Sequence, residues 1–384
     1  MPRLRVGSLR ETETRLFAYA DWFTFAAALA ISLLGLATMR SFSPENTFFE
    51  KQAIWIALSI GVFLFASAFE YRFLRRTQIL AVIYGILMVL LMLILSFGAL
   101  VKGAQNRFDL LFFAFQPSDP AKLILVAVLA KYFARRHVEI AHFRHIFISG
   151  VYAFIPFLLV FLQPDLGSGI IIASTWFGMV LVSGISWKHI AALFFSAAII
   201  FGLAWHYGLH QYQKQRILTF IHPLTDIRGT GYNAYQSTVA VGSGQAFGKG
   251  IGYGTQSKLR FLPEYQTDFI FASFAEEWGF TGVIILMTLF GIVIFRILSI
   301  ASHGVDNFDT LFATGIAIYF IAQFIVHGGM NIGLLPITGS TLPFMSYGGS
   351  HLLTEYFALG VLMGLRRRAR PAHVRDETEL IGII

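Results

Sequence analysis

Asp268 stands where the segment Leu262-Pro263-Glu264-Tyr265-Gln266-Thr267 gives way to the apolar run Phe269-Ile270-Phe271-Ala272. A carboxylate at such a boundary is partly desolvated yet within reach of water, which raises its proton affinity and suits it to taking a proton from a hydroxyl. The plainer alternative is an aspartate near a helix N-terminus, favoured by the dipole. Glu276 and Glu277 follow about two turns deeper, and Asp268, Ala272 and Glu276 approximate one helical stripe. Ionisable groups in apolar surroundings are costly, so one of the two glutamates is expected to face a polar cavity and not lipid.

A second constellation lies in Gln116-Pro117-Ser118-Asp119-Pro120-Ala121-Lys122. Asp119 and Lys122, three residues apart, share a helix face and can pair, either as a stabilised helix start or as the lining of a cavity. Asp165, in the Pro-broken turn Gln163-Pro164-Asp165-Leu166-Gly167, is placed to cap the next helix through the amides of residues 166–168. Six glycines between Gly242 and Gly254 surround Lys249, with Lys214, Arg216 and Arg228 upstream. A phosphate loop would need Gly-Lys followed by Ser or Thr after a strand, and Lys249 is followed by Gly250. What remains is more general: glycines let backbone amides approach an anion, unless the segment is a flexible loop lying on a membrane. The histidines show no metal-ligand spacing and read as interfacial residues.

The elements that must position these groups are membrane helices. Hydrophobic residues make up 56% and charged residues 13% of 384 residues, and mean hydropathy is +0.67. A soluble chain carries about 25% charged residues. Apolar stretches near 20–39, 52–69, 78–97, 118–134, 145–162, 167–184, 188–207, 268–296, 309–328 and 347–365 are long enough to span a bilayer. In hydrocarbon only a helix satisfies its own backbone within one segment. The expected fold is therefore all-α and polytopic: an N-terminus over 1–19, a ten-span domain over 20–365 and a tail over 366–384. A large outer loop, 208–267, joins helices seven and eight. The first stretch reads as a retained helix and not as a cleaved signal peptide.

Arg72, Arg75, Arg76, Lys131, Arg135, Arg136, Arg144, Lys188, Arg296 and the arginines from 366 to 375 fall on one side of ten alternating spans, with Arg3, Arg5, Arg10 and Arg15. Positive charge marks the cytoplasmic side, so both termini are expected there, in a multi-pass protein of the cytoplasmic membrane. The net charge of +8 is thereby a topological signal, and no basic groove interleaved with aromatics points to nucleic acid. The chain has no cysteine, hence no disulfide. The last connection, 331–346, is dense in Gly, Pro, Ser and Thr, and suggests re-entrant backbone covered by protein or water, or a structural elbow.

These motifs, in order and spacing, resemble the SEDS family (shape, elongation, division and sporulation), most closely its RodA branch. The resemblance runs through Lys102-Gly103-Ala104-Gln105, Gln116-Pro117-Ser118, Gln163-Pro164-Asp165-Leu166-Gly167, Gly242-Ser243-Gly244 and Leu262-Pro263-Glu264. It continues in Thr267-Asp268-Phe269-Ile270-Phe271-Ala272, Ala275-Glu276-Glu277, Asn331-Ile332-Gly333 and Ser346-Tyr347-Gly348-Gly349-Ser350. It implies a peptidoglycan glycosyltransferase that polymerises lipid II at the outer membrane face during elongation, with a single-span class B penicillin-binding protein as partner. Asp268 matches the family's essential outer-loop aspartate, Lys122 its lysine after Gln-Pro-Ser, and Arg216 an arginine after the seventh span. The chain departs from the family where Asp119 replaces Glu, where Asn106-Arg107 replaces Arg-Trp, and at Leu111, commonly Gly.

The implied chemistry has Asp268 accept the proton of an acceptor sugar hydroxyl while cations meet the leaving pyrophosphate. Lys122, Arg216, Lys249, Lys258 and Arg260 are the candidate cations, with Asp119 and Glu277 as further substrate contacts. Mg or Mn could assist, though no ligand set is readable. A lipid flippase or a non-catalytic scaffold for the penicillin-binding protein are the rival functions. The concentration of charge on the outer face, and not at the midplane, favours chemistry there.

Overall fold

The computed structural model describes residues 21–40, 42, 47–69, 71–98, 106–110, 113–135, 143–209, 211–221 and 231–380, without the side chains of 110, 113, 212, 216 and 367–380. Arg3, Arg5, Arg10, Arg15, Lys102 to Gln105, Leu111, Arg136 and Arg228 lie outside the described residues, as does the side chain of Arg216.

A helix occupies each of the expected apolar stretches. They are α1 (Trp22–Arg40), α2 (Phe48–Ala68), α3 (Thr77–Phe97), α4 (Ser118–Ala134), α5 (Phe143–Leu162), α6 (Leu166–Val182) and α7 (Trp187–Leu203). Three further helices, α8 (Gln211–Ile221), α9 (Tyr232–Ser243) and α10 (Thr255–Lys258), belong to the long connection. Then come α11 (Ile270–Ser302), α12 (Asn307–Asn331) and α13 (Gly349–Leu380). Among the described residues seven helices are long and apolar enough to cross a membrane, namely α1, α2, α3, α5, α7 with its π-helical end, α11 and α12. α6 is apolar but shorter, at 17 residues.

α12 and α4 form the centre. α12 packs on α4, α6 and α11, α13 packs along α2, and α1 lies against α11. Close approach depends on small residues: a Cβ on Gly315 of α12 would sit 2.6 Å from a Val126 methyl of α4. α7 stands apart, with no buried residue along its length. At one end of the bundle Arg75 pairs with Asp306 and Asp309, and Arg296 and Arg366 pair with Asp21. Asp268 and Asn331 lie at the other ends of α11 and α12, so the two groups occupy opposite ends of the molecule.

Three features differ from expectation. The 98–117 connection contains a hairpin, β1 (Phe108–Leu110) and β2 (Phe113–Phe115), with Phe108 opposite Phe115. Its paired backbone lies against α13. The long connection holds helices because α9 finds a partner surface on α11 and α12, burying Ser237 and Ala240. Finally, Asp268 is not on a helical stripe with Glu276: α11 begins at Ile270, and Asp268 lies in the preceding turn.

Candidate active site

The turn that carries Asp268 is fixed on both sides. Upstream, Tyr265 is buried and meets the ring of Phe42 edge-on at 4.5 Å between centroids. The amides of Thr267 and Phe269 both donate to the Glu264 carbonyl, closing the turn. Downstream, the 333–348 connection folds back as the composition suggested, with Ser340, Leu342, Phe344, Met345 and Ser346 buried. Three successive carbonyls of the turn are then captured. Gln266 accepts from the Tyr347 amide at 2.9 Å, Thr267 from the Ser346 hydroxyl at 2.9 Å, and Asp268 from the Asn331 amide nitrogen at 3.0 Å. Asn331 also accepts from the Ala272 amide at 3.2 Å, tying the end of α12 to the first turn of α11. Asp268 is left half-buried at a junction of four chain segments. A Cβ on Gly339, whose φ is 74°, would lie 3.4 Å from Asp268 Oδ2, so the re-entrant loop passes directly over the carboxylate.

The same loop connects the carboxylate to the other constellation. A Cβ on Gly167 would lie 2.9 Å from the Thr338 carbonyl, placing the start of α6 under residues 338–340. Asp165 caps α6 by accepting from the Ser168 amide at 3.0 Å, as its position predicts, and takes a second bond from Gln116 at 2.9 Å. The Ser118 and Ser168 hydroxyls are 3.3 Å apart, joining the starts of α4 and α6. Asp119 and Lys122 pair at 3.1 Å with side chains 5% and 3% exposed, so they line the interior and not the surface. No side chain caps α4; Pro117 occupies the cap position.

The glycine-rich segment does bring backbone amides to anions, and those anions are the chain's own. Glu276 Oε1 accepts from the Thr255 amide at 2.9 Å and from Lys249 Nζ at 2.7 Å, and its Oε2 accepts from the Gln256 amide at 3.1 Å. Glu277 accepts from the Gly252 amide at 3.2 Å. Both glutamates are buried, so both, and not one, are turned away from lipid. α11 breaks beside them at Gly279 (φ 65°, ψ −167°), and the amides of Phe280 and Thr281 donate to Gln245 and Ala246. Lys258 and Arg260 are exposed on the same segment. Thus Lys249 and Glu277 hold the loop, Lys258 and Arg260 face outward, and Arg216 contributes its backbone to α8.

Several polar residues escape a search by motif. Gln52 is buried and bonds both the Ser346 carbonyl and the Gly348 amide. His327 and His351 are 0% and 4% exposed, which corrects their assignment as interfacial residues. Glu355, also buried, accepts from the Phe344 amide at 2.7 Å and lies within electrostatic range of Asp119 and Lys122. Tyr319, Gln323 and His327 recur every four residues on one face of α12, as do His351 and Glu355 on α13. That spacing is the signal that could have found them. Among the described residues no three His, Asp or Glu side chains gather to hold a metal ion.

The family of FtsW, RodA and SpoVE, described as cell cycle protein, matches residues 13–371. The chain belongs to this family. It is 39% identical over 283 residues to the peptidoglycan glycosyltransferase MrdB of Escherichia coli K12, covering 74% of this chain and 76% of that protein. It is 33% identical to the stage V sporulation protein E of Bacillus subtilis, covering 85% and 89%. Among solved structures, a chain of a peptidoglycan synthase complex in which polymerization and crosslinking are coordinated superposes with a TM-score of 0.79 at 29% identity, covering 91% and 98%. The Thermus thermophilus rod shape determining protein RodA superposes at 0.69 and 28% identity, with the same coverage. The described residues themselves display the mostly helical, polytopic architecture.

Proposed function

We propose that this member of the family is a peptidoglycan glycosyltransferase that polymerises lipid II at the outer face of the cytoplasmic membrane during elongation. The observation that carries the proposal is the half-buried Asp268, held by backbone contacts to Asn331, Ser346 and Tyr347 at the end of the bundle away from the arginines. A base must be near its hydroxyl and must not drift; a carboxylate on a turn whose carbonyls at 266–268 are all bonded meets that requirement. Asp268 takes the proton of the acceptor sugar 4-hydroxyl. The oxygen attacks the anomeric carbon of the lipid-linked glycan, and undecaprenyl pyrophosphate leaves with inversion. Lys258 and Arg260, exposed beside the loop, are suited to meet the pyrophosphate, together with Arg216. Lys122 and Asp119, paired and buried in the first turn of α4 beneath the loop, are the further candidate substrate contacts.

The basic residues gathered at the opposite end support cytoplasmic termini and an outward-facing Asp268. The similarity to a chain of a peptidoglycan synthase complex supports a class B penicillin-binding protein as partner. Purified chain should convert lipid II to glycan with that partner, and Asp268→Asn should abolish conversion with the fold retained. Full polymerisation by the variant would remove the base.

A flippase draws on one observation, the buried polar face of Tyr319, Gln323, His327 and Glu355. These side chains are sealed inside the bundle, which favours chemistry at the rim over passage through the middle. Translocation of labelled lipid II by the chain alone in vesicles, lost in Glu355→Leu and kept in Asp268→Asn, would reverse the choice.

A further inference from the structure

Glu355 is a fully buried carboxyl group on α13, set among Leu352, Leu353, Tyr356 and Phe357, and the proposed transfer step does not use it. An ionisable side chain in such apolar surroundings is costly and requires an account. Both of its oxygens serve the re-entrant loop. Oε2 accepts from the Phe344 amide at 2.7 Å. Oε1 accepts at 3.4 Å from the Gln323 amide nitrogen, which also donates to the Thr341 hydroxyl at 2.9 Å.

Phe344 is where the loop needs holding. Its φ is 62°, a left-handed conformation that a side chain other than glycine keeps only where the surroundings over-determine it. Its carbonyl accepts from the Ser32 hydroxyl at 2.8 Å. Its ring is buried against Phe320 and Tyr356, with centroids 5.1 and 5.5 Å away. Glu355 supplies the restraint on the amide. Phe344 lies inside the turn 342–346, which the Met345 and Ser346 amides close on the Leu342 carbonyl. Ser346 carries the position onward: its hydroxyl accepts from the Leu342 amide at 2.8 Å and donates to the Thr267 carbonyl at 2.9 Å, one residue from Asp268. The Tyr347 amide holds the Gln266 carbonyl beside it. An unbroken series of contacts thus runs from Glu355 to the turn that presents the base. Without the carboxyl group, the Phe344 N–H is buried unpaired and its strained backbone loses a restraint.

We propose that Glu355 is a positioning residue for the transfer reaction: by holding the Phe344 amide it fixes the 342–346 turn and, through Ser346, the placement of Asp268 beneath the loop. The inference rests on Asp268 being the base of a glycosyltransferase. Glu355 itself is sealed under the loop and touches no substrate. In lipid II turnover by the full chain with its partner, Glu355→Leu should lower kcat at least about tenfold and leave KM within about twofold, because a displaced base loses rate and not binding. Glu355→Gln keeps an oxygen for the Phe344 amide and should stay within about threefold of wild type. Ser346→Ala, which removes no buried charge, should also lower kcat, and the double variant with Glu355→Leu should be no slower than the slower single, since both act on one connection. Hydrogen exchange gives a readout apart from turnover: the Tyr347 amide should exchange faster in Glu355→Leu than in wild type or Glu355→Gln, while α4 stays protected. Unchanged kcat in Glu355→Leu or Ser346→Ala, a Glu355→Gln as slow as Glu355→Leu, or additive losses in the double variant would overturn the positioning role and leave the glycosyltransferase reading standing. Wild type that makes no glycan from lipid II would overturn that reading and the positioning role with it.

Discussion

Asn331 illustrates how much the candidate base depends on a neighbour with no chemistry of its own. Its side chain satisfies the Asp268 carbonyl and the Ala272 amide, both part of the turn and helix start that present the carboxylate. Asn331→Leu keeps the volume and strands both groups, at about 1–3 kcal/mol each. Polymerisation should fall far more than expression or folding, and a lipid II turnover assay beside a thermal melt separates the two. Lys122 makes the contrasting case. Lys122→Met leaves Asp119 charged, buried and unpaired, which should cost about 3–5 kcal/mol of stability. Replacing both, Asp119→Leu with Lys122→Met, should restore most of the melting temperature without restoring polymerisation. Recovery of activity in the double variant would assign the pair a purely structural part.

Among the elements, the broken α11 has the clearest consequence. Gly279 adopts a backbone conformation open almost only to glycine, and the turn segment of residues 244–254 lies against the break. Gly279→Ala should cost about 1–3 kcal/mol and release the loop, seen as faster amide exchange at residues 249–256 while α12 and α4 stay protected. The helices were readable because apolar length is a local property, and ten stretches sufficed to place ten helices. Asp165 and the Asp119–Lys122 pair were readable for the same reason, since their partners lie within a few residues. The partner of Lys249 was not. Glu276 is 27 residues away, and nothing local distinguishes an amide cradle for a substrate from one for the chain's own carboxylate. Glu355 and His327 carry a signal only in their four-residue spacing from His351 and Gln323, which shows a shared polar face but not what packs against it.

The whole molecule keeps its two charged ends distinct, with arginine–aspartate clusters at one and the Asp268 turn at the other. Since the chain lacks cysteine, single cysteines are clean reporters of that polarity. A cysteine at Lys258 should react with an impermeant maleimide on intact cells, and one at Arg144 only after permeabilisation. The reverse pattern would invert the orientation. The contacts of the Asp268 turn also bear on the order in which the chain is made. Residues 266–268 leave the ribosome before Asn331, Ser346 and Tyr347, the residues that fix them, and the 249–256 loop precedes Glu276. Synthesis at about 5–20 residues per second therefore leaves the turn without its anchors for seconds after it emerges. The carboxylate acquires its setting only when the last helix is being inserted, so a prematurely terminated chain would carry Asp268 into the membrane without the geometry to use it.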